Sequence, residues 1–199
     1  MALPPTMEVP MRIVGLSGSL SRQSRTTTLV EDMVCRLAAQ LGPAQTRLVE
    51  VAALAPALAG TLHPRDALPA LYNAFAALRT ADILVVGTPV QKGSYTGLLK
   101  HFLDLLDPDD LAGKTVVLAA TGAAADPLSI IDHQLRPLFA YFGTHTVPTG
   151  LFARDGDFQV DVDGSYGLSS AALLAQADRI ADEVARLTRG TLVGVPVVA

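Results

Sequence analysis

Apolar and polar positions along this chain alternate between two kinds of pattern. Strand patterns occur at 12–16, 46–51, 83–87, 114–120 and 144–151; those at 83–87 and 114–120 are the apolar runs bounded by turn residues that central parallel strands show. Pro148 interrupts the last of the five, which places it at a sheet edge. Between these segments, apolar residues recur every three or four positions. Leu29, Met33, Leu37 and Leu41 predict a helix over 25–41, closed by Gly42-Pro43. Leu68, Leu71, Tyr72, Phe75 and Leu78 predict one over 66–80, and a shorter helix is expected over 97–106. Asp126-Pro127 reads as a cap and first helical residue, ahead of Leu128, Ile131, Leu135, Leu138, Phe139 and Phe142. Pro137 lies inside that helix and predicts a loosened turn near His133. A closing helix is expected over 166–189, and the Ala/Leu/Pro-rich stretch 52–64 reads as a long irregular connection.

Five strands alternating with five helices predict an α/β fold, a doubly wound parallel five-stranded sheet of order 2-1-3-4-5. Residues 1–10, with three prolines, read as a disordered lead-in. Residues 11–190 form a single domain in this reading, and 191–199 a short apolar tail. Such sheets bind ligands beyond the carboxyl ends of their strands, at the switch point between the first and third. The loops after strands one, three and four are therefore the places to look for chemistry.

The first of these loops follows Ile13-Val14-Gly15-Leu16 and holds Ser17, Ser19, Arg22, Ser24, Arg25, Thr26 and Thr27. It empties directly into the first predicted helix. A helix N-terminus offers unpaired N–H groups and a positive dipole end, which suit a phosphate dianion. The same composition also suits a plain solvated turn. A P-loop is excluded, because no lysine precedes a Ser or Thr here. The dinucleotide fingerprint is excluded by the spacing of Gly15 and Gly18, and the serine-hydrolase elbow by Ser19 where its last glycine belongs. The second loop runs Thr88-Pro89-Val90-Gln91-Lys92-Gly93-Ser94-Tyr95-Thr96-Gly97, with two glycines expected to admit a flat ligand and a tyrosine beside them. The third, Thr121-Gly122-Ala123-Ala124-Ala125, carries only short side chains. Together they favour a mononucleotide with a planar ring.

Composition narrows the field further. Half of the 199 residues are apolar and 17% are charged, with a net charge of −4, so the chain reads as globular and not as a nucleic-acid binder. Its one cysteine, Cys35, excludes an intrachain disulfide and is expected to be a small buried hydrophobe. No apolar run reaches membrane-spanning length and no signal-peptide layout opens the chain, so a cytoplasmic location is expected. His63, His101, His133 and His145 lack metal-ligand spacing, and no metal is expected. Asp155, Asp157, Asp161 and Asp163 lack the closing glutamate of a calcium loop and read as a solvated acidic stretch. The helices over 98–106, 127–142 and 166–189 look too apolar for one-sided packing, which predicts a homodimer or homotetramer.

Several of these segments together carry a specific resemblance. Ser17-Gly18-Ser19 with 22–26, the run from Thr88 to Lys100, Thr121-Gly122 and the segment Asp132-His133-Gln134-Leu135-Arg136-Pro137-Leu138-Phe139 resemble the NAD(P)H-dependent FMN reductases of the flavodoxin-like superfamily. The likeness is greatest to those of sulfonate monooxygenase systems and covers about residues 12–157. It implies FMN and NADPH or NADH as the small-molecule partners, hydride transfer on the flavin itself with no catalytic side chain, and a partner monooxygenase. It also implies that Ser17, Ser19, Arg22, Ser24, Arg25, Thr26 and Thr27 hold the phosphate. Pro89, Val90, Gln91, Lys92, Gly93, Ser94 and Tyr95 would line the ribityl chain and a ring edge. Thr121, Gly122 and Ala123 would meet the pyrimidine side through backbone groups. Two positions depart from the pattern: Gln91 stands where relatives usually have tyrosine, and Ala123 where they usually have glycine. Two other readings on this scaffold are a quinone, azo or metal-oxyanion reductase that retains its FMN, and a non-enzymatic flavodoxin-type electron carrier. The low aromatic content argues against the carrier.

Overall fold

The computed structural model describes residues 10–123 and 130–192. Strand β1 (Met11–Ser17) lies at the centre, hydrogen-bonded in parallel to β2 (Ala44–Glu50) on one side and β3 (Ile83–Pro89) on the other. Strand β4 (Thr115–Thr121) continues the sheet beyond β3 and pairs with two short parallel segments, β5 (His145–Thr146) and β6 (Leu151–Ala153). The order β2-β1-β3-β4-β5 is that of a flavodoxin-like sheet, as the pattern of runs predicts.

Alternate residues of the central strands face opposite layers. Val14, Leu16, Leu84, Val86, Val116 and Leu118 pack under α3 (Pro69–Thr80), α4 (Gly97–Asp104) and α5 (Arg136–Tyr141). Ile13, Ile83, Val85 and Val117 pack under α1 (Arg25–Leu41) and α6 (Ala171–Leu192). Both faces are covered, which is why these strands read as unbroken apolar runs.

The seating of α1 depends on glycine. Gly15 of β1 and Gly87 of β3 face Val30, and a Cβ on either would fall 2.7 and 2.4 Å from a Val30 methyl. Ala119, in register beside Gly87, extends the small-residue floor into β4. The helix therefore packs close to the sheet, and its first turn stands over the carboxyl ends of β1 and β3.

Several elements differ from the sequence expectation. The stretch read as irregular contains α2 (Val51–Ala59), which forms around Pro56 because Val51, Ala57 and Leu58 bury against the core. Tertiary burial outweighs the backbone bond that the proline forfeits. The next helix starts at Pro69, three residues later than expected, after a tight turn over Pro64–Asp66. The last strand is split in two around Pro148, and the guanidinium of Arg136 takes up the carbonyls of Val147 and Pro148 at 2.9 Å each. The closing helix starts at Ala171; the residues assigned to its first turn instead form β8 (Tyr166–Leu168), paired antiparallel with β7 (Phe158–Val160). Cys35 is exposed, on the outer face of α1.

The loosened turn before Pro137 is present. Ile131–Leu135 is a π-helical turn, in which the Arg136 N–H bonds the Ile131 carbonyl five residues back. The expected lead-in at 1–9, the Asp126-Pro127 helix start and the tail beyond 192 lie outside the described residues.

The glycine floor makes a direct prediction. Gly87→Ala should lower the unfolding free energy by about 1–3 kcal/mol, because the buried Val30 contact must give way. Gly97→Ala, at a site where a Cβ meets open space, should change it by no more than about 0.5 kcal/mol. Urea melts of the two variants check this, and equal effects would show that α1 does not depend on the floor.

Candidate functional site

Strand β1 ends at Ser17, whose buried hydroxyl lies 2.9 Å from Thr27 Oγ1. The loop that follows is held on both sides. Gly18 N–H donates to the Gly87 carbonyl at 2.7 Å, and the Thr96 hydroxyl donates to the Gly18 carbonyl at 2.7 Å. Ser24 is the extended cap residue of α1, and its Oγ accepts from the Thr27 N–H at 3.0 Å. One turn of helix leaves the Arg25 and Thr26 N–H groups without an acceptor inside the helix. These are the donors that an anion would meet. The Thr26 hydroxyl lies 2.6 Å from that of Thr121, which ties the first turn of α1 to the end of β4.

The second loop is a tight hairpin turn. Gln91 and Ser94 exchange backbone bonds of 2.8 and 3.1 Å, and Lys92 and Gly93 between them have φ of 54° and 80°. Two consecutive positive φ values define the mirror-image turn that suits a two-residue hairpin. Gly93 is therefore required by the turn and not by a close-packed neighbour, since a Cβ there meets nothing within 4 Å. Gln134 braces this turn from the π-helical segment, accepting from the Ser94 hydroxyl at 2.6 Å and donating to the Gly93 carbonyl at 2.8 Å.

In the third loop, the Thr121 carbonyl accepts from Val90 N–H at 2.8 Å and Gly122 N–H donates to Ala153 at 3.1 Å. The N–H groups of Val90, Gln91 and Gly122 are thus committed within the protein. With its N–H engaged, Gly122 presents its carbonyl and a surface beside Val90 to the cleft.

A cleft of about 350 Å³ opens between these loops. Of the predicted residues, Ser19, Ser24, Arg25, Thr26, Pro89, Val90, Gln91, Thr121, Gly122 and Ala123 line it. Ser17 and Thr27 are buried beside it and fix the cap instead of facing the cleft. Arg22, Lys92 and Gly93 are exposed outside the lining, and Tyr95 is half-buried, packed against the core. A larger hollow of about 600 Å³ lies by the π-helical turn and α6, but it contains none of the predicted site residues. The smaller cleft is the functional candidate, because it holds the helix N-terminus at the sheet's switch point.

Five lining residues fall outside the predicted set: Leu20, Ser21 and Gln23 of the first loop, and two from far along the chain. Asp155 and Tyr166 come from the hairpin region and meet Arg25: Asp155 Oδ1 is 3.2 Å from its Nη1, and its guanidinium lies 4.9 Å from the Tyr166 ring centroid. No short-range signal marks them, since the acidic stretch reads as solvated and Tyr166 as helical. Of the histidines, His101 bonds the Thr61 carbonyl at 2.8 Å away from the cleft, and His133 is exposed. Among the described residues, no group of three His, Cys, Asp or Glu is placed to hold a metal. Further along α1, burial and the nearby Glu50 push the Glu31 carboxyl above its ordinary value.

Comparison with known proteins agrees with this geometry. A family model described as NADPH-dependent FMN reductase matches residues 11–159. The chain is 42% identical to the NADH-dependent FMN reductase SfnF of Pseudomonas putida over 87% of this chain and 91% of that one. It is 37% identical to an FMN reductase (NADPH) of Pseudomonas aeruginosa, over 92% of this chain and 96% of that one. Among solved structures, an apo NADH:FMN oxidoreductase, EMOB, superposes with a TM-score of 0.73 at 34% identity, covering 89% of each chain. With likeness of this extent in both sequence and backbone, the chain belongs to the NADPH-dependent FMN reductase family.

Proposed function

We propose that this chain is a cytoplasmic reductase that takes hydride from NADH or NADPH, treats FMN as an exchangeable substrate, and hands reduced flavin to a partner monooxygenase. Its place in the FMN reductase family makes it an oxidoreductase that uses a nicotinamide cofactor with FMN. The observation that carries the site assignment is the first turn of α1, capped by Ser24, with two free N–H groups beside a cleft at the switch point.

The residues present fit FMN. The N–H groups of Arg25 and Thr26, the Ser19 hydroxyl and the charge of Arg25 suit the phosphate. Pro89, Val90 and Gly122 offer an apolar, hydrogen-bond-satisfied wall that suits a flat ring. When bound, FMN supplies the two-electron chemistry, accepting hydride from the nicotinamide and yielding it to the next acceptor. The protein's part is position. The Thr26–Thr121 hydroxyl contact and the Gln134 brace hold the three loops in one arrangement, so that little ordering remains when ligand enters.

Aerobic oxidation of NADH and of NADPH by the purified protein, with FMN titrated, tests the reading. Turnover that saturates in added FMN and vanishes after the flavin is removed is expected. Turnover that persists at full rate without added FMN would mean a retained cofactor, and tight flavin binding without nicotinamide oxidation would mean an electron carrier. Ser24→Ala should raise the KM for FMN and lower stability by about 1 kcal/mol through loss of the cap.

We also infer a homodimer or homotetramer. Tyr141 at the end of α5 is 72% exposed beside the half-buried Leu138, an apolar surface that a second copy would cover. Light scattering at micromolar concentration should give two or four times the chain mass of 20.8 kDa; a monomer there overturns the inference.

A further inference from the structure

The β7–β8 hairpin is the part of the cleft wall that neither the sequence pattern nor the flavin-site expectation assigned. It packs against the first turn of α1, and it brings Asp155 and Tyr166 to the same residue, Arg25. Arg25 occupies an electrostatically awkward position. It is the first residue of α1, where a cation adds to the positive end of the helix dipole. Its Nε is buried and has no hydrogen-bond partner, while its Nη1 lies 3.2 Å from Asp155 Oδ1.

The two hairpin-side contacts act differently on this guanidinium. The Tyr166 ring face, 4.9 Å from its centre, fixes the plane of the group and supplies a weak cation attraction. Tyr166 is itself held edge-on by Phe158 at 6.4 Å, across the hairpin. Asp155 is 61% exposed at its side chain and offsets the positive charge when no other anion is present. Its backbone is fixed by a tight turn in which Asp157 accepts from Arg154 N–H at 2.7 Å and the Asp157 carbonyl accepts from Ser169 N–H at 2.9 Å. A phosphate at the α1 N-terminus would compete with Asp155 for the same cation.

We propose that Tyr166 is a positioning residue for Arg25 and Asp155 its resting counterion, so that the hairpin sets the preference of this cleft for a 5′-phosphorylated flavin over the unphosphorylated one. The proposal rests on the FMN reading above. FMN and riboflavin differ at this end by the phosphate, which brings negative charge and hydrogen-bond acceptors, and Arg25 reads its charge. Removing the ring face should therefore lower affinity for FMN alone. Removing the carboxylate should raise it, because the phosphate then meets an uncompensated guanidinium and no like charge.

Dissociation constants for FMN and riboflavin, from quenching of flavin fluorescence in the full chain, test this. Tyr166→Leu should weaken FMN about fivefold or more and leave riboflavin within about twofold, whereas Tyr166→Phe, which keeps the ring face, should match the unaltered protein. Asp155→Asn, at an exposed site, should tighten FMN about threefold with riboflavin unchanged. Equal losses for both flavins in Tyr166→Leu would show that the hairpin is merely a wall. No change in either variant, or weaker FMN binding in Asp155→Asn, would equally overturn the proposal. If the unaltered protein binds neither flavin, the FMN reading itself fails, an outcome distinct from all of these.

Discussion

The close seating of α1 on the sheet is the contact on which the rest of the site depends. Val30 rests on two positions where any side chain would collide, Gly15 and Gly87, one from each of the strands that flank the switch point. Interiors packed at this density transmit position faithfully. The helix cannot slide along the sheet without losing the fit, so its N-terminus is fixed over the ends of β1 and β3. Ser17, at the end of β1, then finds Thr27 within hydrogen-bond reach, and Thr26 finds Thr121. The packing beneath the helix thus decides where its free N–H groups point.

The cleft is built from loops that satisfy their own polar groups before any ligand arrives. Val90, Gln91 and Gly122 donate to neighbouring carbonyls, and the Lys92–Gly93 turn is braced by Gln134. The wall that results is flat and chemically quiet, suited to a ring that carries its own reactivity. The unpaired donors gather at the other end, on the first turn of α1. In the proposed reading, backbone and charge recognise the phosphate and shape recognises the ring, in two adjacent regions of one cleft.

The electrostatic balance at the helix N-terminus involves an element distant in sequence. Arg25 adds positive charge where the dipole is already positive, and the structure answers with a carboxylate and an aromatic face from the hairpin. The hairpin is a separate two-stranded ribbon that packs Phe158 and Leu168 against the core and is bonded through the Asp157 carbonyl to the residues leading into α6. Its contact with α1 links the C-terminal third of the chain to the phosphate end of the cleft.

The strands and their order were legible because both faces of this sheet are covered. Burial on both sides turns each central strand into an unbroken apolar run, such as Ile83-Leu84-Val85-Val86, which no other local structure of that length explains as simply. The capped start of α1 was legible because Ser24 and Thr27 act within three residues of each other. The loosened turn before Pro137 was likewise a local backbone effect. What failed were judgements that depend on neighbours far along the chain. Helix α2 forms despite Pro56 because the core covers it, and Tyr166 joins a hairpin although its surroundings read as helix. Tyr95 and Ser17 proved to support the cleft from outside its lining, and Asp155 joined it from a stretch that looked merely solvated. The sequence by itself determined the sheet and the capped helix, because these follow from periodicity and from contacts a few residues long, while FMN as the ligand came from the resemblance of its loops to a known family. Only the tertiary structure decided which of the polar residues face the cleft and which partner holds Arg25, because those depend on chain segments 130 or more positions apart meeting at the N-terminus of one helix.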